Sequence, residues 1–169
     1  MRGDFAPKAR KMAGMDAFRD HVVKLLRGGG AHVDFNKVVT GFPVELRGKR
    51  PKGAVHSPWE ILEHMRIGQW DILDFSRNPN YKPMKWPDEY WPQAPAPPNA
   101  KAWSKSVRTF RDDLEAMCAL VSDPKIDLTA RIPHGDGQTI LREALLVADH
   151  NAYHLGELLL LRRLLGAWK

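Results

Sequence analysis

Cysteine is almost missing from this chain. Its 169 residues include one, Cys118, which cannot close an internal disulfide. A disulfide scaffold is therefore excluded, and a reducing, cytoplasmic location is expected. No apolar run reaches the roughly 18 residues of a membrane-spanning helix. The first fourteen residues, MRGDFAPKARKMAG, have no apolar core, so no secretory signal is expected there. Strand signals are scarce, because alternation is short and proline or glycine interrupts it. Internal repeats are absent. A phosphate-cradling loop is absent too: Gly28-Gly29-Gly30 follows a helical pattern rather than a strand, and HGDGQT at 134–139 lacks the P-loop lysine. What remains, 43% apolar and 27% charged residues, is the balance of one ordinary globular domain.

The net charge is +6, and part of it is local. Arg2, Lys8, Arg10 and Lys11 form a basic head in a leader over 1–13, ahead of a domain at 14–169. Arg47, Lys49, Arg50 and Lys52 form a second cluster. Such clusters can meet phosphate. The head has no interleaved aromatics of the kind a single-strand binder stacks on bases. A solvated tail and a solvated loop are therefore expected, not a nucleic-acid surface.

Helical periodicity organises the rest. Residues 15–27 carry Phe18, Val22, Leu25 and Leu26 at helical spacing, with acids early and bases late as the helix dipole prefers. A short amphipathic piece follows at about 31–40. Ser57-Pro58-Trp59-Glu60 is a capping box with proline at the first helical position, which starts a helix running to Arg77 before Asn78-Pro79. Residues 78–98 hold seven prolines, two tyrosines and two tryptophans. They predict a long loop, read as a packed cover on one end of the molecule or as a substrate lid. A third long helix is expected over 99–121, with Trp103, Val107, Phe110, Leu114, Met117 and Val121 on one stripe. Thr139 caps a last helix at 140–165, apolar over most of its circumference and so expected to be the most buried element. The pattern predicts an all-α fold, a four-helix bundle whose long Pro/aromatic loop joins the second and third main helices.

The chemistry concentrates on the last helix, in DHNAYHLGE at 149–157. His150 and His154 are four apart, one turn above each other on one face, the spacing at which a helix offers two imidazoles to one ion. Two ligands hold a transition metal weakly, so a third is needed. His21, His32, His56 and His134 fall in exposed or loop positions. His64, in the second turn after the capping box, lies at the edge of an apolar face with Ile61, Ile67, Gly68 and Phe75. An imidazole there, opposite the pair, completes a three-histidine site with open positions for water or substrate. Buried histidines bonded within the core are the competing reading. Asn151 stands where a zinc protease carries its glutamate base, and the Glu-x-x-His pairs of di-iron bundles are missing. Cys118, mid-helix and without a motif, reads as packing.

HSPWEILEHMRIGQWDIL together with HGDGQTILREALLVADHNAYHLGELLLLRRLLGAW resembles the DinB-like (DinB/YfiT) superfamily of four-helix-bundle metalloproteins, over about residues 14–168. The resemblance implies a divalent transition metal on His64, His150 and His154, zinc or nickel before iron or manganese. It also implies activation of a low-molecular-weight thiol or water for transfer or hydrolysis on a small-molecule substrate, and a homodimer. Glu157 stands where the family usually has glutamine; one turn beyond His154, it reads as an acceptor behind that ring or as a surface carboxylate, and the surface or dimer role is favoured. Arg66, Arg142 and the Tyr81–Trp91 loop are candidates for holding substrate. The alternative is a non-enzymatic, metal-stabilised bundle acting as a dimeric interaction protein.

Overall fold

The computed structural model describes residues 5–168, with side chains from residue 14 onward. Five α-helices are present among them: α1 (Phe5–Arg27), α2 (Phe35–Val39), α3 (Pro58–Arg77), α4 (Ala102–Ser122) and α5 (Ile140–Leu164). No strand is among the described residues, only an isolated bridge between Arg131 and Thr139. α3 packs between α4 and α5, and α1 closes the fourth side against the same two helices. The all-α bundle expected from periodicity is therefore present. α1 begins ten residues before the apolar spacing shows, at Phe5. Of the basic head, Arg2 and the side chains of Lys8, Arg10 and Lys11 lie outside the described residues. No described helix is long and apolar enough to cross a membrane.

Local chemistry sets the helix ends. Ser57 Oγ accepts the Glu60 amide at 3.2 Å and Glu60 Oε2 accepts the Ser57 amide at 2.7 Å, a reciprocal capping box. Thr139 Oγ1 accepts the Arg142 amide at the start of α5. α1 stops where Gly28 and Gly29 take φ of 67° and 80°, a left-handed turn open to glycine at little cost. Buried Arg162 of α5 donates to the carbonyls of Lys37, Val38 and Thr40, the orphan acceptors at the end of α2.

Two apolar clusters form the core. One gathers Phe35, Val38, Phe42, Trp59, Leu62, Met65, Trp103, Phe110 and Leu158. The other gathers Val22, Leu26, Leu73, Met117, Val121 and Val147. Between them, α3 from 64 to 71 and α5 from 150 to 154 contribute polar residues, so a polar layer interrupts the core at mid-bundle. Cys118 is packed in the second cluster, and burial pushes its thiol up to about 11, which removes it as a nucleophile at neutral pH.

Two expectations change. The most buried helix is α3, with thirteen of twenty residues buried, against ten of twenty-five in α5. α5 is apolar over most of its circumference, yet Leu145, Tyr153, Leu160 and Leu164 stay exposed. The 47–52 cluster is also not simply solvated. Arg47 donates to the Phe42 carbonyl and lies 5.0 Å from the Trp103 ring centroid, while Arg50 is paired with Glu60.

Candidate metal centre

His64 from α3 and His150 and His154 from α5 meet in the polar layer. One ring nitrogen from each lies within 4.8 Å of the others. The ring centroids are 4.5–5.0 Å apart in edge-on arrangements. The His64 and His150 Nε2 atoms face each other at 3.2 Å. Two lone pairs cannot share that space without a proton or a cation between them. Two nitrogens about 2.1 Å from one ion stand roughly 3.0–3.4 Å apart at octahedral and tetrahedral angles, an interval that contains the observed separation.

Outer contacts orient two of the rings. His64 Nδ1 donates to the Tyr90 carbonyl at 3.0 Å, which leaves the Nε2 lone pair free. His154 Nδ1 meets Glu157 Oε2 at 2.5 Å, which has the same effect. This corrects the surface role expected for Glu157: an acid three residues on in a helix is within reach of the histidine ring. His150 Nδ1 is buried without a partner. Its neighbour Asn151 donates to Gln69 Oε1, and Gln69 donates to the Phe110 carbonyl, which ties α5 to α3 and α4 just beneath the rings.

Burial holds all three imidazoles neutral. It pushes His150 and His154 down to about 4, aided by the neighbouring rings, and lowers His64 as well. Three neutral nitrogens are the donor set a divalent transition ion needs at neutral pH. The donor chemistry fits zinc, nickel, copper and iron alike.

The Pro/aromatic loop supplies the walls. Trp91 stacks flat on His64, with centroids 3.9 Å apart and planes 2° apart, and its other face carries His56 at 4.0 Å. Tyr81 and Tyr90 donate their hydroxyls to buried Asp71 at 2.9 and 2.6 Å. Burial, then Asp71, pushes the Tyr81 hydroxyl up to about 12 and Tyr90 upward too. Both therefore remain donors and pin the loop to α3. Gly68 makes room on the opposite side: a Cβ there would meet His150 Cε1 at 2.9 Å.

The family profile described as DinB superfamily matches residues 30–158, more than half of the chain and inclusive of all three histidines. The chain belongs to the DinB superfamily. No curated protein and no solved structure matched it.

In this DinB-superfamily chain the three candidate histidines come together, and Arg66 and Arg142 do not join them. Arg66 pairs with Glu63 at 2.8 Å and borders a separate cavity between α3 and α4. Arg142 pairs with Glu143 at the start of α5, two turns from His150. Asp71 and His56 were not foreseen; Tyr90 and Trp91 belong to the loop expected to hold substrate, but their contacts with His64 were not. Only Gly68, four residues after His64 on the same helix face, carried a readable signal.

Proposed function

We propose that this protein is a metal-dependent enzyme. His64, His150 and His154 would hold one divalent transition ion, zinc or nickel ahead of iron or manganese. The reaction is activation of a low-molecular-weight thiol or of water for transfer or hydrolysis. The observation that carries the reading is the convergence of three neutral imidazoles from two helices, two of them oriented from behind by the Tyr90 carbonyl and Glu157. When bound, such an ion supplies a Lewis acid that brings the proton loss of a thiol or water near neutral pH.

The chain's own groups do the rest. Tyr90 and Glu157 hold the His64 and His154 tautomers with Nε2 inward. Trp91 shields one face of His64 from water. The Asp71–Tyr81–Tyr90 bonds keep that loop closed against α3. A cytoplasmic location goes with this reading, in keeping with the lone buried cysteine.

The test is turnover. Zinc- or nickel-loaded protein is mixed with small thiols and an epoxide or aryl halide, and separately with ester or amide substrates. Rates above the uncatalysed reaction, abolished by His150→Ala and His154→Ala, support the proposal. One metal per chain with no turnover leaves the second reading, a metal-stabilised bundle acting as a dimer. Exposed Leu145 and Tyr153 on the outer face of α5 favour that pairing, and light scattering checks it.

A further inference from the structure

The cavity that Arg66 borders has a volume of about 940 Å³ and lies between the N-terminal parts of α3 and α4, with loop residues between 84 and 101 as its third side. That volume is at the upper end for small-molecule pockets. None of the three histidines lines it. On α3, Trp59, Glu63, Arg66 and Trp70 are spaced four, three and four apart, which puts them on one face. α4 sets Ala102, Ser106 and Thr109 opposite, and these side chains are too short to fill the space. Two bonds join the walls: the Ser106 hydroxyl donates to Glu63, and the Gln69 amide donates to the Phe110 carbonyl. The two helices therefore run in the same direction. Trp70 is level with Thr109, one turn or about 6 Å along the axis from Lys105.

Five charged groups line the cavity. Glu63 is buried and takes Nε and Nη2 of Arg66, which leaves the Arg66 Nη1 without an acceptor among the described residues. Glu89, on the loop side, accepts the Lys85 amide. Lys101 and Lys105 have no ion-pair partner among the described residues. They stand one turn apart at the start of α4, where like charges repel and the helix dipole disfavours both. Arg66 offsets Glu63 and one lysine offsets Glu89, so one cation is left over. Asp113, a turn beyond Thr109, does not line the cavity. The apolar part is Ile67, Met84 and the Trp70 indole, which is 39% exposed.

We infer that this cavity binds a small aromatic monoanion of the arylalkyl carboxylate class. Its ring lies on Trp70, and its carboxylate reaches Lys105 and the Arg66 Nη1. A chain of about two or three carbons spans the one turn between these groups. A phosphate monoester, with nearly two negative charges, exceeds the single surplus cation. The site is separate from the histidine centre and does not depend on the metal-enzyme reading.

The probes are 3-phenylpropionate, its neutral amide and 3-phenylpropylamine, titrated into chelator-treated and zinc-loaded protein and followed by NMR shifts. The indole signal that Trp70→Ala removes should move on binding. The carboxylate should bind about tenfold tighter than the amide, and the amine weakest. Lys105 is exposed and Lys105→Gln should leave the fold intact; it should weaken the carboxylate about fivefold and leave the amide unchanged. Trp70→Ala should weaken both about fivefold; should that variant fail to fold, Lys105→Gln still decides the matter. An amide or amine that binds as tightly as the carboxylate, or a carboxylate indifferent to Lys105→Gln, overturns the inference. Binding seen only in zinc-loaded protein, with shifts at His150 and His154 in place of Trp70, makes the carboxylate a metal ligand, and the inference fails. If the series holds but zinc does not bind, the metal-enzyme reading falls and the cavity stands.

Discussion

Gly68→Ala tests the arrangement with one methyl group. The new Cβ would sit 2.9 Å from His150 Cε1, about 0.6 Å inside the closest comfortable carbon–carbon contact. The imidazole has two free torsions and can turn away, but only by leaving its place opposite His64. Metal sites tolerate errors of only about 0.2 Å in ligand distance, so a displacement of that size should lower metal affinity by about 10–100-fold, or ~1.4–2.8 kcal/mol. Stability of the metal-free protein should move little. Alanine improves helix propensity over glycine by up to about 1 kcal/mol, against roughly 1–3 kcal/mol for overpacking, part of which the ring's rotation relieves. Competition with a chromophoric chelator reads the affinity, and thermal melts of chelator-treated protein read the stability. Gly156→Ala is the control: it lies between His154 and Glu157 in sequence, but its Cβ would meet nothing within 4 Å. It should keep full affinity and gain up to about 1 kcal/mol of stability. A Gly68→Ala protein that binds metal as tightly as the parent would refute the claim that this glycine makes room for a ligand.

Other expectations follow from the same contacts. Glu157→Gln keeps the shape but weakens the acceptor for His154 Nδ1–H, so metal affinity should fall about tenfold by the same chelator competition. His150 and His154 sit near 4 in the fold against about 6.5 in the unfolded chain. The unfolded state therefore binds more protons between these values. The metal-free protein should lose stability as pH falls from about 6.5 toward 4, and the double His150→Ala/His154→Ala variant should show a shallower loss of melting temperature. Arg162→Met strands the carbonyls of Lys37, Val38 and Thr40. It should cost on the order of 3 kcal/mol, read by denaturant titration.

Features governed by neighbours along the chain were readable before the fold was known. The Ser57 capping box and the Thr139 cap depend on atoms three residues away, and both helices begin as expected. The i, i+4 spacing alone put His150 and His154 on one face. His64 could be placed on an inward face, but its meeting with the pair depends on α3 packing beside α5. The loop was opaque for a different reason. A run dense in proline has no period, so nothing in the order of residues told that the Tyr90 carbonyl would receive His64 or that Trp91 would lie between His64 and His56. The burial of α5 was misjudged because apolar composition does not count neighbours; Leu145 and Leu160 remain about half exposed. Glu157 was misassigned because glutamate three residues beyond a histidine reads equally as a surface acid.

The most direct measurement is a crystal of metal-loaded protein with anomalous data collected on both sides of the absorption edge of the bound metal. The account predicts one strong peak among the Nε2 atoms of His64, His150 and His154, about 2.1 Å from each, and no peak in the same position in His154→Ala crystals. A fully loaded protein whose peak lies elsewhere, or whose His64 ring takes no part in holding the ion, would contradict it.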